Sequence, residues 1–148
     1  MKPKNFRFES LLKYKAFIEE AIRHELADVS EKMEAEEKRF STLEGIWRQA
    51  VGELKERQMK HVPSHEILMY HTYLQQLSLE IGKQRERVIE IQRVYHEKRE
   101  SLIGAAQERK IVEKVREKDK QQVNEEANRA EKKVMDETAK NRYVRENC

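Results

Sequence analysis

One stretch inside this chain breaks an otherwise continuous helical pattern: MKHVPSHEIL, with Pro63 at its centre. A proline there removes a helical hydrogen bond and clashes with the preceding turn. Ser64 can cap a new helix, with Glu66 well placed in its first turn. Upstream, Leu26, Val29, Met33, Glu36, Phe40, Leu43, Trp47, Ala50 and Leu54 step by three and four residues in strict alternation. That is the spacing of a coiled-coil seam. Leu11, Tyr14, Ile18 and Ile22 extend it towards the N-terminus, with a four-residue stutter between Ile22 and Leu26. Downstream, Ile67, Tyr70, Leu74, Leu77, Ile81, Gln84, Val88, Ile91, Tyr95, Lys98, Leu102, Ala105, Arg109 and Val112 keep the same alternation. The expected fold is all-α: two long helices sharing one seam as an antiparallel coiled-coil hairpin.

The composition fits such helices. Charged residues make up 40% of the 148 positions, with only 4 Gly and 2 Pro, and the 37% apolar content suffices for a narrow seam but not for a layered core. One domain is expected over 1–148, with helix 1 at about 6–59, a turn at about 60–64 and helix 2 at about 65–142. A turn this short makes the helices antiparallel, so facing positions lie equally far from one centre. Pairing Leu54 with Tyr70, Trp47 with Leu77, Met33 with Ile91 and Ile22 with Leu102 puts that centre at Val62, beside the independently located proline. In this register Glu36 meets Val88, Phe40 meets Gln84, and Leu26 meets the stem of Lys98, so no two seam charges are buried together.

The register also predicts an overhang. Helix 1 begins near Phe8, whose partner lies near residue 116, and the next core positions of helix 2 are Arg116 and Asp119. Helix formers continue beyond them, with supporting pairs such as Glu125 and Arg129. The only apolar line there is Val123, Ala127, Ala130 and Val134, small-sided and suited to lying against something from outside the chain. Taken alone, a solvated helix that frays would show the same pattern.

Several function classes are disfavoured. The 31 basic and 28 acidic residues are interleaved, so the net charge of +3 gives little support to nucleic-acid binding. Cys148 has no internal partner, which fits a reducing compartment, and no run is apolar enough for a signal peptide or membrane span, so a cytoplasmic protein is expected. His61, His65 and His71 lack the further ligands that a metal needs. Trp47 and most tyrosines sit on the seam as packing residues. Gly45, Gly52, Gly82 and Gly104 form no phosphate loop; isolated in helices, they cost stability or allow close approach. Without an enclosed pocket, neither catalysis nor a cofactor is expected.

The segments FRFESLLKY, YHTYLQQLSLEIGKQRERV, EKRESLIGAAQERKIVEKV and EKKVMDE, in that order and spacing, resemble the flagellar export protein FliJ family nearly end to end. The resemblance implies a non-enzymatic component of the flagellar type III export apparatus, similar in shape to the central stalk of rotary ATPases. Its implied partners are the hexameric export ATPase and the membrane export gate, with export chaperones as further candidates and no nucleic acid. It also implies a monomeric hairpin at the inner-membrane face of the basal body. By position, the family's gate-binding stripe falls on Tyr73, Leu77, Glu80 and Gln84, of which only Tyr73 and Leu77 keep the apolar character. The ATPase ring would meet Phe6, Phe8, Val123, Ala127, Ala130, Val134, Asp136 and Glu137 at the open end. Two rival classes are a generic coiled-coil scaffold and a nucleic-acid binder using the cations of RAEKKVMDETAKNRYVR, whose binding would fall steeply with salt.

Overall fold

The computed structural model describes residues 3–147, with side chains from residue 8 to 147, so Cys148 lies outside the described residues. The chain forms two helices, α1 (Pro3–Met59) and α2 (Ser64–Asn147), and no strand occurs among the described residues. The all-α hairpin is thus the observed fold. Each helix runs a few residues further at its free end than expected, from Pro3 in α1 and to Asn147 in α2.

The turn sits where Pro63 requires it. The Lys60 amide closes α1 by donating to the carbonyls of Glu56 and Arg57, both at 3.2 Å. His61 then takes a left-handed conformation with φ of 53°, the geometry that commonly ends a helix. The Glu66 amide donates to the Pro63 carbonyl at 3.1 Å, so Pro63 takes the flanking position expected of Ser64, and Ser64 is already helical. Glu66 occupies the first turn of α2 as expected.

Contacts divide the chain into two units. The first, Ala21–Leu102, contains the turn and the largest apolar core. Ala50, Leu54, Leu74 and Leu77 are buried there, with Leu43, Trp47, Val51, Ile67 and Tyr70 packed against them. The predicted seam positions of this unit are all buried or half-buried, and removing their apolar surface from water holds the two helices together. At the turn, Arg57 donates to Glu66 at 3.2 Å and lies 5.3 Å from the centre of the Tyr70 ring, while the Tyr70 hydroxyl donates to Glu53 at 3.3 Å.

The second unit joins Met1–Glu20 to Ile103–Cys148. Here the expected seam is corrected: Leu11 and Tyr14 are 40% and 59% exposed. Phe8, Leu12, Lys15 and Glu19 take the covered positions. They continue the three-four alternation through Ile22 without a stutter, which brings charged residues onto the seam. Lys15 donates to Glu108 at 2.9 Å, and Arg109 donates to Glu19. Glu19 is only 7% exposed, so the expectation that no two seam charges are buried together fails at this pair. The interaction is tolerable because Arg109 also donates to Glu113 at 2.6 Å, and each buried charge has a partner.

Candidate partner-binding surfaces

The seam determines which side chains remain available for binding. Among the described residues Gln84 has the most deeply covered side chain, at 2% exposure. Its amide donates to the Glu36 backbone carbonyl at 3.0 Å and to the Glu36 carboxylate. The expected register sets Phe40 opposite Gln84 and Val88 opposite Glu36, and the Gln84 side chain reaches Glu36 one turn along. A polar pair inside an apolar seam favours the one register that satisfies it.

This places the four expected gate contacts in two groups. Leu77 (5% exposed) and Gln84 are buried between the helices, whereas Tyr73 is 46% exposed and Glu80 is also at the surface. Tyr73 shares its surface with Met69, which is 68% exposed. Met69, Tyr70, Tyr73 and Glu53 line an open cleft of about 410 Å³. Met69 lies one helical turn before Tyr73, and that spacing could have signalled a shared face. Leu79 is 69% exposed.

The expected ATPase-facing residues also separate. Phe8 is half-buried, and Phe6 belongs to α1, but its side chain lies outside the described residues. Val123 is half-buried and is the last covered residue of α2. Every residue from 124 to 147 is exposed, including Ala127, Ala130, Val134, Asp136 and Glu137. Met135, Tyr143 and Val144 are also exposed, at 70%, 69% and 56%, and extend the apolar content of this end beyond the expected line. Just before it, the Nε of Arg116 and one carboxylate oxygen of Asp119 are buried without a hydrogen bond. Arg116 keeps one contact, through Nη1 to Glu9 at 3.4 Å.

Charged contacts elsewhere shift the protonation equilibria of a few side chains. The hydrogen bonds to Glu19 and Glu113 strengthen the protonated form of Arg109. Those to Glu90 and Glu97 do the same for Arg93, while Arg93 lowers the Glu90 carboxyl below its ordinary value. No group of metal-binding side chains occurs among the described residues, and the cleft floors are open. No described helix is long and apolar enough to cross a membrane. The glycines meet nothing within 4 Å of an added Cβ, so they allow no close approach and simply cost helix stability.

Two paired helices with one apolar seam, and a second helix whose end is uncovered, define an all-α helical hairpin. Residues 3–147 match the family described as Flagellar FliJ protein, and the chain belongs to that family. It is therefore a non-enzymatic component of the flagellar export apparatus. No curated protein and no solved structure matches the chain significantly.

Proposed function

We propose that the chain acts as a stalk-like adaptor, docking on the export ATPase ring through the uncovered end of α2 and on the membrane export gate through the face around Tyr73. The observation that carries this reading is the stretch from 124 to 147, a helix with apolar side chains and nothing covering them, in a member of an export family. A solvent-exposed helix gains stability when a partner buries its apolar stripe. Ala127, Ala130 and Val134 supply that stripe to the ATPase, with Asp136 and Glu137 beside it and Phe6 and Phe8 contributing from α1. At the gate, Tyr73 and Glu80 make the contacts, and Leu77 and Gln84 support them from below. The protein works as a monomeric hairpin in the cytoplasm, peripheral to the inner membrane, and can also receive export chaperones.

Replacing Ala127 and Ala130 together with Glu tests the ATPase reading. Binding to the purified export ATPase should fall at least about tenfold, while helix content by circular dichroism stays constant. Undiminished binding would favour a scaffold that touches the ATPase elsewhere or not at all. Tyr73→Ala should weaken binding to the gate and leave the ATPase interaction unchanged.

A further inference from the structure

Two seam lines compete on the same stretch of α1. The covered one runs through Phe8, Leu12, Lys15, Glu19 and Ile22. A second runs through Phe8, Leu11, Lys15, Ile18 and Ile22, with the same alternation of three and four residues and the same ends. The lines differ at two positions: Leu12 against Leu11, which is the same side chain, and Glu19 against Ile18. Turning α1 between these ends by about 50°, half the angle between successive residues of a helix, exchanges one line for the other. The line that is covered is the more polar one. It buries Glu19, held by Arg109, and leaves Leu11 and Tyr14 exposed and Ile18 half-buried. On α2, Ile111 and Val115 are exposed as well. Lys15 lies one turn from both Leu11 and Ile18, and Glu108 lies one turn from Ile111, so the ion pair that joins Lys15 to Glu108 sets these residues on one flank.

A turn that brings Ile18 into the seam also carries Tyr14 towards Ile111 and Val115, and so removes apolar surface from water. Two costs oppose it. Glu19 gives up Arg109, although the net worth of a buried ion pair is small. The steps from Ile18 to Ile22 and from Ile22 to Leu26 become two successive fours, a stutter that locally unwinds the coil. We propose that α1 between Phe8 and Ile22 is a two-position switch, which turns about the helix axis and is latched in the observed position by the pair of Glu19 and Arg109. Leu11 and Leu12 make the two positions equivalent at one layer, so the balance is decided at the layer of Ile18 and Glu19. A partner that grips the exposed Leu11 and Tyr14 keeps the latch closed, and one that binds the face turned outward with Leu12 and Glu19 opens it. The switch is a property of the paired helices and does not depend on the export reading.

The test uses the full chain carrying Cys148→Ser, with one introduced thiol at a time labelled by a maleimide. With the latch intact, Leu12→Cys should be protected and Leu11→Cys reactive. Arg109→Leu removes the latch and gives Ile18 an apolar side chain to meet. It should raise the labelling rate of Leu12→Cys about tenfold and lower that of Leu11→Cys by a similar factor, as a shift from a minor to a major population requires. Adding Glu19→Leu to Arg109→Leu makes the observed line apolar and needs no stutter, so the original order of the two rates should return. Unchanged rates at both positions in Arg109→Leu would overturn the proposal. Faster labelling at both would also overturn it, by showing local opening of the helix instead of a turn. If Glu19→Leu failed to restore the order, the layer of Ile18 and Glu19 would not be the one that decides the position. Binding to the export ATPase is measured separately, so its absence would count against the export reading and not against the switch.

Discussion

The core around Leu54 and Leu77 and the seam around Glu19 and Arg109 occupy the same positions of the same repeat, yet different interactions hold them. In the first, apolar side chains exclude water. In the second, a buried carboxylate is held by a guanidinium. Apolar burial contributes stability in proportion to the area removed from water. A buried ion pair must first offset the desolvation of both charges, so its net contribution is small even when its geometry is good. A seam can therefore be continuous in geometry and uneven in strength.

The strongest way to break this comparison is to hollow out the apolar core. Leu54→Ala should cost about 3 kcal/mol, since a buried leucine loses both its transfer free energy and the packing around the cavity. Chemical denaturation monitored by circular dichroism would measure it. Replacing Glu19 and Arg109 together with methionines should cost far less and could stabilise the chain, because it removes the desolvation penalty along with the attraction. If the double replacement proved as damaging as Leu54→Ala, the ionic seam would be as strong as the apolar one.

The next effect concerns Gln84, which carries polarity into the apolar unit. Truncating it in Gln84→Ala leaves the Glu36 carboxylate and carbonyl without their donor and opens a void. A loss of about 2 kcal/mol is expected. Gln84→Leu should recover part of it while weakening the preference for a single register, which double-cysteine crosslinking at alternative pairs of positions would detect. Gly52→Ala should act in the opposite direction. An added Cβ meets nothing within 4 Å, so the variant gains about 1 kcal/mol from helix propensity alone.

Much of this arrangement was legible in the alternation of apolar residues. The seam from Ile18 to Leu54 and from Ile67 to Val112 is covered as expected. Before Ile22 hydrophobicity points to Leu11 and Tyr14, while the helix keeps its repeat and covers Lys15 and Glu19. Periodicity counted on apolar residues cannot register a charge made tolerable by a partner far along the chain, as Arg109 makes Glu19 tolerable. The proposed binding surfaces were legible only in part for a related reason. Leu77 and Gln84 already belonged to the seam by spacing, but position within the family assigned them to the same stripe as Tyr73 and Glu80.

The smallest effect on stability should come from the largest change to the chain. Among the described residues, all those that a truncation after Val123 removes are exposed. They bury no apolar surface, and their charge contacts are local, as between Glu125 and Arg129 at 3.6 Å, with both side chains largely in solvent. Exposed pairs of this kind contribute little, and residues without tertiary contacts add nothing to the cooperative core. The melting midpoint of the truncated chain should therefore match that of the full chain within the scatter of surface substitutions, about 0.5 kcal/mol. Helical ellipticity per molecule should fall by the amount that the missing turns carried. A retained midpoint with lost ATPase binding is the expected pair of results. A clearly lower midpoint would mean that the end of α2 supports the seam around Glu19 and Arg109, and that this seam is weak only when studied without it.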